Sequence, residues 1–180
     1  MKKVINKVSL IAVVLILGIF VLTGCENGGK GGNTVITING VNVSLNKERT
    51  LCNLNFKYPE EAKFPTEEEN HITMKIYQDD NEEKILASVV VTVRKEKNVE
   101  EYIKNMRNVE ASELQTETYN DTKWYIYDYK SSNAIAKVHY CQNGQDTYVV
   151  SFPQEGDAQN IDITNFKTEF MKNVRFGNSN

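Results

Sequence analysis

The stretch that most constrains this chain is residues 34–45, T-V-I-T-I-N-G-V-N-V-S-L. Ile36 and Ile38 alternate with polar neighbours, Asn39-Gly40 follows, and Val41, Val43 and Leu45 alternate again. Alternation with period two marks a strand that buries one face. Asn and Gly both tolerate positive φ, so this pair between two alternating runs calls for a two-residue hairpin turn. Such a turn sets Ile38 opposite Val41 and Ile36 opposite Val43 on one face, and Thr37 opposite Asn42 on the other.

The same period continues downstream. Cys52, Leu54, Phe56 and Tyr58 share one face of a third strand closed by Pro59. Residues 59–70 form an acidic connector with Pro65 inside it, and Ile72, Met74 and Ile76 mark a fourth strand. After a polar turn, residues 85–93 are apolar on both faces, which predicts a central, doubly covered strand. Asn98 opens a helix, with its side chain accepting from first-turn amides and Glu101 in capping-box register. Val99, Tyr102, Ile103 and Met106 fall on one side of that helix. Residues 123–129, 134–141 and 146–152 read as an antiparallel meander. Its first turn is Ser131-Ser132-Asn133 and its second Gln142-Asn143-Gly144. A three-residue second turn sets Val138 opposite Tyr148, Ala136 opposite Val150 and Ala134 opposite Phe152. It aligns apolar with apolar and predicts a bulged turn with Gly144 at positive φ. Asp162 or Asn160 caps a last helix that buries Ile163, Phe166, Phe170 and Val174 and turns Lys167 and Lys172 outward. The expectation is an α+β fold: an antiparallel β-sheet with an N-terminal β-hairpin and two amphipathic helices packed on the sheet. It forms one domain over residues 34–180, with the 34–45 hairpin either built in or standing as a small separate lobe.

Upstream of the hairpin the chemistry changes. Lys2, Lys3 and Lys7 precede an apolar run over residues 8–22 broken only by Ser9 and Gly18. A basic start, about 7–15 apolar residues and a small-residue cleavage site are the layout of a secretory signal. A permanent span needs about 20 apolar residues. Leu22-Thr23-Gly24-Cys25 resembles the lipobox of bacterial lipoproteins, with Leu three places before a Cys and a small residue just before it. The resemblance implies a diacylglycerol on the Cys25 thiol, cleavage of residues 1–24, and an anchor on the extracytoplasmic face of the cell membrane. Acyl chains hold by about 0.8 kcal/mol per buried methylene. The plainer alternatives are an ordinary cleaved signal or an uncleaved anchor helix. Residues 25–33 then read as a flexible tether, whose eight residues after the Cys reach at most about 29 Å.

Removing residues 1–24 removes three Lys and no acid, so the formal charge moves from −3 to −6. Nucleic acid is thereby a poor partner, because phosphate binding needs clustered Lys and Arg. The abundance of Asn, Lys, Glu and Ile is that of an AT-rich genome and hints at a Gram-positive source. Cys52 and Cys141 each lie in an expected strand. A disulfide between them is permitted outside the cytoplasm, but two separate unpaired thiols are the simpler reading.

Three sets of residues carry chemistry. Tyr119, Trp124, Tyr125, Tyr127, Tyr129, Tyr140 and Tyr148 form an aromatic set, in which Tyr125, Tyr127 and Tyr129 share one strand face and Trp124 takes the other. Flat rings with polar tips stack on glycans or anchor protein partners when exposed, and otherwise serve ordinary sheet packing. His71 and His139 lie in a chain with acids at Glu67, Glu68 and Glu69, but no metal-ligand spacing occurs, so no metal and no cofactor is expected. His139 and Cys141 share a strand face, yet phosphate loops, His-Glu-x-x-His and nucleophile elbows are all missing from the sequence.

The element order, with an aromatic strand ending in Tyr58-Pro59 and a closing amphipathic helix, resembles the PsbP-like group over about residues 52–176. The N-terminal hairpin departs from that pattern. The resemblance implies a non-enzymatic partner of membrane complexes or a surface protein. The functional expectation is therefore a membrane-anchored binding domain contacting another envelope protein or a glycan through Tyr125, Tyr127 and Tyr129. A small-ligand carrier, or a hydrolase with an unrecognised site, is the alternative.

Overall fold

A computed structural model describes residues 34–79 and 82–177. The expected signal peptide, Cys25 and the tether lie outside the described residues. Eleven strands and two nine-residue helices follow in the order β1 (Thr34–Ile38), β2 (Val41–Leu51), β3 (Leu54–Pro59), β4 (Lys63–Glu68), β5 (His71–Tyr77), β6 (Ile85–Arg94), α1 (Val99–Arg107), β7 (Gln115–Tyr119), β8 (Thr122–Lys130), β9 (Ala134–Asn143), β10 (Asp146–Glu155), α2 (Thr164–Lys172) and β11 (Arg175–Phe176). Short 3-10 turns sit at Ala111–Glu113 and Gly156–Asn160. The fold is α+β, rich in antiparallel strands, with two short helices. Among the described residues no helix is long and apolar enough to cross a membrane.

The strands divide between two sheets, where one was expected. The smaller runs β1-β2-β3-β11 and the larger β4-β5-β6-β10-β9-β8-β7. The hairpin forms as its sequence demands: Asn39 and Gly40 take φ of 49° and 80°, and Ile38 pairs Val41, Ile36 pairs Val43 and Thr37 pairs Asn42. Its buried Ile36, Ile38, Val43 and Leu45 belong to the main core. β2 runs on through the polar residues 46–50 to the buried Leu51, with an irregular register between Leu45 and Lys47. Charge pairs hold this polar half: Lys47 to Glu60 at 3.0 Å, Arg49 to Glu67 at 2.8 Å and Glu48 to Arg175 at 2.7 Å. Because β2 reaches Leu51 and pairs it with Leu54, Cys52 falls in a two-residue turn at φ 53° and not in a strand.

Two further strands lie outside the runs that alternation marks. The connector around Pro65 contains β4, an edge strand whose register shifts between Lys63 and Thr66. Pro is tolerated at an edge or bulge because no ladder amide is missed there. β7 forms because Asn120 and Asp121, at φ 47° and 61°, close a second two-residue hairpin onto β8. The register of β9 on β10 also differs from expectation. Tyr148 pairs Cys141, Val150 pairs His139 and Phe152 pairs Lys137 across a two-residue Gly144-Gln145 turn, with Gly144 at φ 61°. Both strands are buried on both faces, so matching apolar with apolar does not select one register.

Two clusters fill the two faces of the large sheet. On one face the main core joins β1–β3, the inward residues of β5, β6, β8 and β10, and α2. Phe170 of α2 lies 5.7 Å from Phe56 and 5.6 Å from Phe152, linking the small sheet to the large one. On the other face α1 sets Val99 and Ile103 against Val138 and Tyr140. Asn98 caps α1 as expected, accepting from the Glu100 and Glu101 amides at 3.0 and 3.2 Å. Met106 does not join the buried side and is 54% exposed. Arg107 takes the inward place in the last turn, donating from Nε to the Tyr140 hydroxyl at 2.7 Å. At α2 the N-cap position falls on Ile163, which makes no side-chain cap bond; Asp162, one residue before it, accepts from the Thr164 amide at 2.9 Å.

Phe170→Ala should cost about 3–5 kcal/mol, as expected for a buried aromatic truncated where two sheets meet. Val35→Ala, at an exposed β1 position, should change stability by less than about 0.5 kcal/mol. Urea unfolding of the two variants beside the parent reads the difference.

Candidate functional site

The Tyr row divides along its strand. Tyr125 and Tyr127 are half-buried and pack into the α1 cluster, while Tyr129, beyond the helix, is 40% exposed. The Tyr125 hydroxyl donates to Glu100 Oε1 at 3.2 Å, and burial raises its pKa. The Arg107 guanidinium lies 5.0 Å from the Tyr127 ring centre. Trp124, on the opposite face, is buried in the main core. The row is thus largely sheet packing beneath a helix; Tyr125 opens onto a cleft at the start of α1, and Tyr129 borders a separate hollow of about 300 Å³ at the far end of the strand.

That cleft, of about 480 Å³, lies where the N-terminus of α1 meets the β7–β8 turn, the end of β9 and β11. Tyr125 and Phe176 contribute its aromatic surface, and Asp121, Thr122, Lys123 and Asn143 its polar groups. Gln142 builds one wall. Its Oε1 accepts from the Val99 amide at 2.7 Å, and its Nε2 lies 3.3, 3.1 and 3.0 Å from the carbonyl oxygens of Lys97, Gly144 and Asp146. Asp146 pins the loop before α1 by accepting from the Glu96 amide at 2.8 Å and from Lys95 Nζ at 3.0 Å. The Glu96 amide bond also holds the Asp146 carboxyl below its ordinary pKa. The Thr147 hydroxyl donates to the Lys97 carbonyl at 2.8 Å. On the other side Asn120 Nδ2 donates to the carbonyls of Lys172 and Val174 at 2.9 and 2.7 Å, fixing the β7–β8 turn. Phe176 stacks on Trp124 at 12° and meets Tyr148 edge-on at 4.8 Å. Every wall of the cleft is therefore held by side chains whose own bonds are satisfied elsewhere.

Of these residues the sequence singled out Tyr125 for contact. Asp121 and Asn143 were missed because each is an ordinary turn residue until the fold brings two turns together. The one signal available was Asn120-Asp121, a pair suited to consecutive positive φ.

The other sequence candidates do not meet at this cleft. His71 and His139 lie on opposite faces of the large sheet. His71 is held between the hydroxyls of Thr92 (2.9 Å) and Thr73 (3.2 Å). Glu67 is engaged by Arg49. Among the described residues, no three His, Cys, Asp or Glu side chains gather as metal ligands. Cys52 and Cys141 are both free, the first exposed and the second buried, where burial pushes its thiol pKa up.

His139 is 1% exposed, among the rings of Tyr119, Trp124 and Phe152. Burial holds its pKa down to about 4 despite the opposing pull of Glu117, whose carboxylate stands 3.9 Å from Nε2. The ring is neutral at pH 7, and its Nδ1 and the Trp124 Nε1 are buried without a hydrogen-bond partner among the described residues.

No family model matches the sequence, and no curated protein matches it. Among solved structures, a protein of Bacteroides thetaiotaomicron VPI-5482, known from a crystal structure at 1.50 Å, is similar with a TM-score of 0.50 and 8% identity. The match covers 71% of this chain and 46% of that one, so the chain spans about half that protein's length. At this identity the likeness is one of fold alone. The cyanobacterial PsbP (CyanoP) of Synechocystis sp. PCC 6803 is similar with a TM-score of 0.47 and 7% identity, over 87% of this chain and 99% of that one.

The buried imidazole has a pH signature. The unfolded chain binds a proton at His139 near pH 6.5 and the folded chain only near 4, so in that window the unfolded state carries more protons. Its contribution is complete above about pH 6.5 and is lost as pH falls towards 4, by up to roughly 3 kcal/mol. Urea unfolding at pH 7.5 and 4.5 should register the loss, and His139→Leu should reduce the difference by a similar amount.

Proposed function

We propose that this chain is a lipid-anchored extracytoplasmic protein with no catalytic activity of its own. It binds another envelope protein or a glycan at the cell membrane, and involves no nucleic acid. The observation that carries the reading is the polar and aromatic cleft at the α1 rim, with Tyr125 in its wall. Binding sites are concave and carry a few placed polar groups; this cleft is an open and more polar example, with Tyr125 and Phe176 as its aromatic surface. The non-enzymatic part of the reading is supported by the burial of His139 and Cys141 inside the core, one with a depressed and one with a raised pKa. Neither a charged imidazole nor a thiolate is favoured there.

The anchor rests on Leu22-Thr23-Gly24-Cys25 and the basic and apolar segments before it. The element order, with Tyr58-Pro59 ending β3 and α2 near the end of the chain, supports placing the domain in the PsbP-like group, with the N-terminal hairpin as a departure.

Mass spectrometry of protein isolated from its native membrane should find an N-terminal peptide beginning at Cys25 and carrying a diacylglycerol, with residues 1–24 absent. In intact cells, a photoreactive side chain at Thr122 should crosslink to an envelope component, whereas one at Val35 should not. An unacylated Cys25 overturns the anchor, and equal crosslinking from both positions overturns the cleft as the binding site.

A further inference from the structure

We infer that the rim cleft takes a neutral, polyhydroxylated ligand, a short length of glycan free of phosphate and carboxylate. The inference rests on the binding role proposed above and narrows it to one chemical class. A helix N-terminus beside a cleft would ordinarily invite an anion, since its first amides have no partner within the helix. Here those amides are occupied. The Val99 amide donates to Gln142, and the Glu100 and Glu101 amides donate to Asn98. Charge points the same way: Glu100 and Asp121 face a single lysine, Lys123, so the lining carries one net negative charge. A phosphate or carboxylate would enter against that charge with no backbone donor to receive it.

The unoccupied groups suit hydroxyls. Among the described residues the side chains of Asp121, Thr122 and Asn143 make no hydrogen bond within the protein. They present a carboxylate acceptor, a hydroxyl and an amide that both donates and accepts. A sugar hydroxyl is donor and acceptor at once and satisfies such a mixed set. The Tyr125 ring, fixed by its bond to Glu100, stands beside them with the flexible Lys123 ammonium 5.0 Å from its centre. Moving that one side chain exposes a flat apolar surface for the C–H face of a sugar ring. The cleft's 480 Å³ falls within the roughly 300–1,000 Å³ of small-ligand sites.

The test applies the purified full-length protein, in detergent, to a panel of neutral hexose and N-acetylhexosamine oligosaccharides, with uronic-acid and phosphodiester glycans beside them. Saturable binding to at least one neutral oligosaccharide, and to none of the anionic glycans more tightly, is expected. Asn143→Ala should weaken that binding about tenfold, the effect of losing one hydrogen-bond partner, with an unchanged thermal midpoint. Binding to no neutral glycan, or tighter binding to an anionic one, overturns the inference. If neutral glycans fail while the Thr122 crosslink recovers a protein, the ligand class falls and the binding role stands. If the Thr122 crosslink is also absent, both fall.

Discussion

The constraint on which this structure depends is that its central strands are apolar on both faces. β6 and β10, side by side in the large sheet, bury alternate side chains in opposite directions. Such a sheet must be covered twice, yet the described residues hold only two α-helices, of nine residues each. The chain solves the first face by folding its own N-terminal strands into a second sheet and wedging α2 beside it, with Phe170 between Phe56 and Phe152. The second face receives α1 and the short segment after it, through Val109, Ala111 and Leu114. At about 1.5 Å per residue, nine residues cannot cover seven strands, so this cover has a rim.

The cleft follows from that shortfall. Where α1 begins, its amides are received by Gln142 and Asn98, and the loop before it is tied to Asp146 and Thr147. The helix start, the β7–β8 turn and the end of β9 therefore converge without closing on one another. His139 and Cys141 lie elsewhere, sealed in the main core, and the exposed thiol of Cys52 sits at the β2–β3 turn. The burial of His139 and Cys141 and the mixed polar groups at the rim are what support the proposed binding role.

What could be read from the sequence was what depends on neighbours in the chain. The 34–45 hairpin, the Asn98 cap and the apolar stripe of α2 are local decisions, and each formed where its residues directed. The strands at β4 and β7 were obscured because edge strands need little apolar content: Pro65 and the Gln115–Tyr119 run look like loop until a partner strand is placed beside them. The division into two sheets and the β9–β10 register were hidden for a different reason. A doubly buried strand carries no preferred face, and its pairing is settled by long-range packing. The same limit applied to the site. Tyr125 was visible as part of an alternating row, but its difference from Tyr127 and Tyr129 comes from its place beside the start of α1.

The central claim is that α1 is locked at its N-terminus by side chains of the sheet, so that the cleft exists before any ligand arrives. Native-state hydrogen exchange of the Val99, Glu100 and Glu101 amides tests it most directly. The account predicts that these amides are protected and open together with the core strand amide of Tyr140. Exchange as fast as in the exposed Ser131-Ser132-Asn133 turn would mean that the helix start frays and that the cleft has no fixed wall.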